Sequence, residues 1–581
     1  MPTLLDDALA RHRAGQLDEA AEAYRRLLYA APDRADVLHL LGNVEYQRND
    51  AAVAIRLIER AIALEPRIAV YRISLGNVYR RGGDLTSAAA RYREALELSP
   101  DSLLAAASLA GALHGLGDVA GAADAWRAAL RIDPRHAEAW TGLGDLALEL
   151  GQPRDAARCY RQVAIIDPES APAWLKLGVA SVRQGDAPAG LAAFERALAL
   201  NPAFAAAHYN IGVVSAERLE FEAAEAALRR ALAIAPDYVD AHVNLSAVLQ
   251  KTGRASEARR HREAAYRRVC LFVRRSPVAR RSVLILFDAG TGNINLSHLF
   301  SPVHNTVIDW FIEYAPAGQT LPPHDLVFNG MGDPDMTGPA AAPAERYVAE
   351  CGKPVLNLPS RVARTARDQL PALLDGIEGL CVPKVRRVEP GDPWPTDLAC
   401  PLLLRPIATH GGSGLQRAAD AEELARIGSD RAGTVFVSEF HDFRSADGCW
   451  RKYRVIFVGG RPYPYHLAIS PHWLVHYATA DMPAHPWKLD EERRFLEAPE
   501  QVLGEQGMRA LEAVGARLDL AYAGIDFSLL PDGRILVFEA NPVMLVHPED
   551  PAGVLAHKNA CIARILDAFE ALLEQTVAAG R

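Results

Sequence analysis

No stretch of the 581-residue sequence approaches the ~18–20 uncharged apolar residues needed to span a bilayer. That excludes a helical membrane protein and predicts no membrane partner. Cysteine is sparse. The seven (Cys159, Cys270, Cys351, Cys381, Cys400, Cys449, Cys561) are scattered and include no C-x-x-C. This spacing excludes a disulfide framework and a cysteine zinc site, and it predicts a reducing, cytoplasmic setting. The opening Met1-Pro2-Thr3-Leu4-Leu5-Asp6-Asp7 lacks a basic region followed by an apolar core, so no secretory signal is expected. Lysine is rarer than its usual share, at seven of the 63 Lys+Arg. Strong overall basicity is also absent. The net charge is −9, and the one basic stretch, residues 251–280, carries ten basic against two acidic residues. An acidic chain with a single basic joint does not read as a nucleic-acid binder. The joint (Arg259-Arg260-His261-Arg262, Arg267-Arg268, Arg274-Arg275) reads as the solvated face of a terminal helix, with a docking patch as the alternative.

What is present in quantity is periodicity. Prolines stand at 32, 66, 100, 134, 168, 202 and 236, each 34 residues from the last. Ten residues beyond each lies a small residue: Gly42, Gly76, Ala110, Gly144, Gly178, Gly212, Ser246. A second register holds Ala20, Ala54, Ala88, Ala122, Ala156, Gly190, Ala224 and Ala258. A third holds Gly15, Asn49, Gly83, Gly117, Gly151, Gly185, Leu219 and Gly253. A small residue in mid-helix lets a neighbour approach closely. The glycine turn ends a first helix and the proline closes a second. Each unit is a helix hairpin unable to bury its apolar face alone, so stacked units must share a core.

The pattern resembles the tetratricopeptide repeat, whose opening signature is matched by Trp140-x-x-Leu143-Gly144 and Trp174-x-x-Leu177-Gly178. The resemblance implies an all-α solenoid of about eight units over residues 1–272. It also implies a peptide or protein partner on the concave surface. Tyr24, Tyr92, Trp126, Tyr160 and Phe194 keep register with the small positions, which predicts packing residues rather than ligand contacts. Asn43, Asn77, Tyr209, Asn210 and Asn244 recur on first helices and are the candidate partner contacts.

From about residue 280 the period stops. Ser282-Val283-Leu284-Ile285-Leu286-Phe287 reads as a buried strand entering the turn 288–293, and the segments 324–330 and 354–357 repeat that form. An α/β domain is expected over 281–380. The turn at 290–292 lacks the third glycine of a dinucleotide fingerprint. Beyond a boundary near 379–385, Pro401-Leu402-Leu403-Leu404-Arg405-Pro406 is a strand ending in a cation. It is followed by Thr409-His410-Gly411-Gly412-Ser413-Gly414, a loop whose backbone N–H groups could cover a polyphosphate. Val435-Phe436-Val437-Ser438-Glu439-Phe440 reads as a strand running into a linker, and Tyr453–Tyr463 as a hairpin turning at Gly459-Gly460.

Near the end, Gly524-Ile525-Asp526-Phe527-Ser528-Leu529-Leu530, the turn 531–534 and Ile535-Leu536-Val537-Phe538-Glu539-Ala540-Asn541-Pro542 read as two antiparallel strands. They bring Asp526 near Glu539, with Asn541 on the same face as Glu539 by the period of two. Two carboxylates and an amide oxygen are hard ligands suited to Mg²⁺. Solvent-facing acids on a plain hairpin are the alternative.

Taken in order, these pieces resemble the ATP-grasp ligases over about residues 281–575. The resemblance implies a pre-ATP-grasp α/β domain over 281–380 and an α+β ATP-grasp domain over 381–575. ATP would be clamped between two lobes, with Mg²⁺, or Mn²⁺, on Asp526, Glu539 and Asn541. It places the nucleotide against Val437, Ser438, Glu439 and Phe440, beneath the loop Gly411, Gly412, Ser413 and Gly414. Where the family has two nucleotide-binding lysines, this sequence has Arg367 and Arg405, in keeping with its arginine bias; arginine keeps the charge and can bind phosphate bidentately. Arg454, beside Lys452, matches the cation at the reacting phosphates. The chemistry implied is phosphorylation of a carboxylate by ATP, then attack by an amine. A docking solenoid beside such a site predicts a peptide, protein or carrier-bound substrate. The alternative is a scaffold whose second half only binds nucleotide. Lastly, His466, His472, His476 and His485, with Trp473, Tyr477 and Asp481, read as a substrate-covering lid. Packing residues, or a zinc pair of His472 and His476 at i,i+4 on a helix, are the alternatives.

Overall fold

The computed structural model describes residues 4–580, apart from 277, 291–295, 302, 336, 408–413 and 430–432, and not the side chains of 428, 429 and 478. The chain divides into two compact units, Met1–His261 and Arg262–Arg581. Among the described residues no helix is long and apolar enough to cross a membrane.

The first unit is built from paired helices, beginning with Leu4–Arg13 and Leu17–Ala30. The three sequence registers each have a structural cause. The turn register (Gly15, Asn49, Gly83, Gly117, Gly151, Gly185, Leu219, Gly253) lies entirely in left-handed backbone, with φ from 62° to 92°. That conformation ends the first helix of each pair. The aspartate that follows it then caps the second helix: Asp50, Asp84, Asp118 and Asp186 each accept from the backbone N–H three residues on. The small register faces the residue sixteen positions later. A Cβ on Gly76, Gly144 or Gly178 would lie 2.4–2.6 Å from the ring of Tyr92, Tyr160 or Phe194. Those rings, with Tyr24 and Trp126, are 0–4% exposed, so the aromatic register is packing between helices.

Among the described residues, the second unit contains three sheets. The first joins β1 (Leu271–Arg274), β2 (Arg281–Phe287), β3 (Asn305–Phe311), β4 (Leu326–Asn329) and β5 (Val355–Leu356) in the order β1-β3-β2-β4-β5. All pairs are parallel except β1 with β3. As in other parallel sheets covered on both faces, β2 is an unbroken apolar run from Val283 to Phe287. Leu284 and Leu286 face the helix Gly338–Glu350 through Ala340 and Ala344, while Val283 and Ile285 face the helix Asn559–Ala579 through Ile562, Ile565 and Phe569.

The second sheet is antiparallel: β7 (Val385–Val388), β10 (Val435–Glu439), β8 (Leu402–Pro406) and β9 (Gln416–Ala418), in that spatial order. The third runs β12-β11-β13-β14-β6, from β12 (Arg461–Ser470), β11 (Trp450–Val458), β13 (Tyr522–Leu529) and β14 (Ile535–Asn541) to β6 (Leu380–Cys381), which lies parallel to β14. β11 and β12 turn at Gly459-Gly460, both with positive φ.

Two expected boundaries shift. Leu271 and Phe272 belong to the α/β sheet and not to the solenoid, since β1 pairs with β3 and Tyr266 stacks on Phe311 at 3.9 Å. The regions 281–380 and 381–575 are also not separate cores. The ring of Phe569 packs between Phe300 and Phe328 on one side and Tyr522 on the other, at centroid distances of 5.3, 5.9 and 5.4 Å. One apolar core thus joins the first and third sheets.

Candidate functional site

The second and third sheets flank a cavity of about 220 Å³. Its floor comes from β11, β13 and β14. Asp526 on β13 pairs directly with Glu539 on β14, and Arg454 on β11 pairs with Asp526. The register then slips: Phe527 pairs with Val537, which leaves Phe538 as the extra residue of a bulge. A regular strand shows alternate side chains to one face. The bulge breaks that rule, and Leu536, Val537, Phe538 and Glu539 all line the cavity in succession.

The charged end is a convergence of four cations on two carboxylates. Arg454 grips Asp526 with two bonds, Nε to Oδ1 at 2.6 Å and Nη2 to Oδ2 at 2.9 Å. Lys452 Nζ adds a third contact at 3.2 Å. Arg367 donates to Oε2 of Glu539 at 2.6 Å, and Arg405 reaches the same oxygen at 3.4 Å. Burial pushes the Asp526 carboxyl up. The charge and hydrogen bonds of Arg454, then those of Lys452, outweigh it and hold the group below the usual carboxylate range. Glu539 behaves likewise: burial raises it, but Arg367 and Arg405 prevail over the neighbouring Asp526 charge. Arg405 is itself lowered, first by burial and then by Arg367.

The other walls are largely apolar and aromatic, with Leu403, Phe436, Phe440, Phe443 and Phe538 among them. Ser438, Glu439 and His441 add polar groups, and His441 Nε2 stands 3.8 Å from Glu439. Trp473 through His476 cover one side. Trp473 meets Phe440 edge-on at 5.8 Å, and the Arg417 guanidinium lies over the Phe440 ring, 4.2 Å from its centre. Burial, then Lys452 and Arg454, push the His476 imidazole below its ordinary value.

Of the residues expected here from sequence, Arg367, Arg405, Ser438, Glu439, Phe440, Lys452, Arg454, Asp526 and Glu539 all line this one cavity. Val437 does not: it is fully buried with Val388, Leu402 and Leu404 in the core of the second sheet, and Phe436 takes the place expected of it. Asn541 lies beyond the lining, its Oδ1 accepting from the Val543 N–H at 2.8 Å. Gly411, Gly412 and Ser413 fall outside the described residues, as do Thr409 and His410. Gly414 turns at φ 70° against Pro406, outside the lining, and Leu415 after it reaches the cavity.

The zinc alternative is corrected. Residues 471–474 form bends and 475–476 have no regular structure, so His472 and His476 lack the i,i+4 geometry of a helix, and His466 is buried on β12. Among the described residues no group of three or more His, Cys, Asp or Glu is arranged to hold a metal ion.

In the first unit the candidate contacts already bond within the chain. Asn43 reaches His39 at 3.1 Å, Asn77 accepts from Tyr92 at 2.8 Å, Asn244 donates to Tyr209 at 3.3 Å, and Asn210 bonds to the Ala206 carbonyl at 2.7 Å.

The helix hairpins are tetratricopeptide repeats. One family model for this repeat matches residues 5–67, 39–103, 73–137 and 175–239, and a second matches 113–178. Such repeats generally bind peptide or protein partners. Similar solved structures include MamA (28% identity, 27% of this chain and 92% of that one, TM-score 0.26). They also include YrrB, described as a TPR protein with an unusual peptide-binding site (25% identity, 32% and 95%, TM-score 0.29). PilW, described as a type IV pilus biogenesis factor, is a third (22% identity, 34% and 92%, TM-score 0.31). No curated protein matches the chain.

Proposed function

We propose that the second unit is an ATP-grasp, ATP-dependent carboxylate–amine ligase, and that the tetratricopeptide solenoid docks its peptide, protein or carrier-bound substrate. The observation that carries this reading is the pairing of Asp526 with Glu539 on adjacent strands, ringed by Lys452, Arg454, Arg367 and Arg405, at one end of an aromatic-walled cavity. The apolar end, with Phe436, Phe440 and Phe538, suits a purine. The charged end suits a triphosphate, which arginine forks bind bidentately.

The donor set also fits a divalent metal. Asp526 and Glu539 offer hard carboxylate oxygens side by side, the ligand type that Mg²⁺ shares with substrate phosphates. Asn541 stands further off and would join only through its remaining lone pair. Bound there, the metal would supply charge compensation at the transferring phosphate. The chain's own residues do the rest. Arg454 and Lys452 hold the phosphate that moves to the substrate carboxylate and then leaves as an amine attacks. Arg367 and Arg405 orient the phosphates behind it. Trp473–His476 exclude water from the acyl phosphate. No protein nucleophile is required, because clamping and preorganised charge lower the barrier.

A non-catalytic scaffold is the second reading, and the repeat solenoid favours it. The separating experiment measures ADP release by the full-length chain with Mg·ATP and panels of carboxylates, including peptides, paired with amines. Turnover dependent on both partners supports the ligase. Tight nucleotide binding without turnover on any pair supports the scaffold.

A further inference from the structure

The charged end of the cavity holds more cation than its carboxylates balance. Asp526 accepts from Arg454 through both oxygens and from Lys452, and Glu539 accepts from Arg367 and Arg405 through Oε2. Three of the four carboxylate oxygens are thus engaged, and four cations face these two carboxylates; Asp333 also acts on Arg405, and with its charge counted the cluster still stays net positive. Resting on the nucleotide-site reading above, we infer that these cations gate the metal ligands. A divalent ion is refused by the free site and admitted only when a polyphosphate draws Arg454, Lys452, Arg367 and Arg405 away from Asp526 and Glu539.

The argument is electrostatic. A bare divalent ion must give up water to approach a cluster of its own sign, and it finds the oxygens it needs already taken. A triphosphate carries the opposite charge and offers guanidinium groups a bidentate partner equal to a carboxylate. Once phosphate oxygens hold the arginines, the carboxylates are left facing each other with no countercharge, and a hard divalent cation is what that pair then requires. The exchange needs no backbone change, because Arg454, Asp526 and Glu539 are register partners on three adjacent strands. Linkage requires that metal tighten nucleotide by the factor by which nucleotide tightens metal, expected at roughly 5–150-fold.

A metal that merely bridges protein and phosphate would also show coupling, so the gate is read from variants. The probes are Mn²⁺, with the free ion counted by electron paramagnetic resonance, and ADP, measured by calorimetry, both on the full-length chain. Wild type should bind ADP in EDTA and take up Mn²⁺ stoichiometrically only when ADP is present. Arg367→Met removes a cation from Glu539, which is about a quarter exposed, and leaves the buried Arg454–Asp526 pair intact. It should bind Mn²⁺ alone about tenfold more tightly than wild type and metal-free ADP more weakly, a coupling change within the usual allosteric range. Arg405→Met, at the same oxygen, is the second variant should the first melt early. Wild type binding Mn²⁺ equally with and without ADP, or both variants leaving metal-only affinity unchanged, would overturn the gate while the nucleotide site stands. Absence of ADP binding with or without Mn²⁺ would remove the nucleotide reading and the gate together.

Discussion

Replacing Arg454 by methionine keeps an unbranched stem of similar reach and removes the charge, which isolates what that charge does for Asp526. The carboxylate is 2% exposed, and its two bonds to Arg454 are 2.6 and 2.9 Å long. Removing one partner of a buried pair costs about 3–5 kcal/mol, mostly the penalty for a charge left without compensation. Lys452 remains 3.2 Å from the carboxylate, so the low end applies, about 3 kcal/mol. At roughly 2 °C per kcal/mol for a large domain, unfolding of the second unit should fall by about 6 °C. The pH dependence gives an independent check. In wild type the Asp526 carboxyl, raised by burial but lowered more by Arg454, sits below its ordinary value. A carboxyl depressed in the folded state stabilises above its unfolded pKa of about 3.9, and that stability is lost as pH falls through the lowered value. In the variant burial dominates and the sign reverses: the ionised group destabilises at neutral pH and is relieved on taking up a proton. The gap between the two melts should therefore be widest near neutrality and narrow toward about pH 4. Adding Asp526→Asn to the variant should recover most of the loss, since a neutral amide needs no countercharge. The measurement is calorimetric melting of the full-length proteins across pH. A variant that melts with wild type, a deficit constant in pH, or a further loss on adding Asn would refute the reasoning.

Glu539→Gln should lower any ATP-dependent turnover by about 100-fold or more through lost charge compensation. The melt should change little, because Glu539 is about a quarter exposed; turnover at the wild-type rate would exclude it as a metal ligand. Leu219 is the one branched side chain in the left-handed turn register, at φ 62° and 72% exposed. Leu219→Gly should therefore stabilise the solenoid by about 0.5–1 kcal/mol, the left-handed penalty less glycine's entropy cost, seen as a raised denaturant midpoint. A fragment starting at Arg262 should be soluble and bind Mg·ATP. One starting at residue 281 loses β1 and Tyr266 and bares the edge of β3 with Phe311, so light scattering should show aggregation and the melt should fall.

How much of this could be read from sequence depends on how local each determinant is. The solenoid announces itself because each small residue, turn residue and proline acts within one 34-residue unit. Gly178 beneath Phe194 is a contact sixteen residues long, and it repeats. The Asp526–Glu539 pair was readable for the same reason, since one tight turn joins its strands. Where reach is long, the signal fades. Arg367 and Arg405 lie 172 and 134 residues before the Glu539 they hold, and no spacing rule connects them. The shared core built around Phe569 is equally silent, so two domains were expected where one apolar core joins two sheets. Strand β10 shows a further limit. Val435, Phe436 and Val437 are all buried, so a period of two gives alternation without saying which face meets the cavity, and Val437 was expected where Phe436 stands. The strand around the bulge at Phe538 goes further, with four successive residues, Leu536 to Glu539, lining one wall against the alternation that made the strand recognisable. The same break fixes the chemistry. It interrupts the ladder directly beside Asp526 and Glu539, whose side chains meet where four cations, and in the proposed reaction phosphates, can reach them.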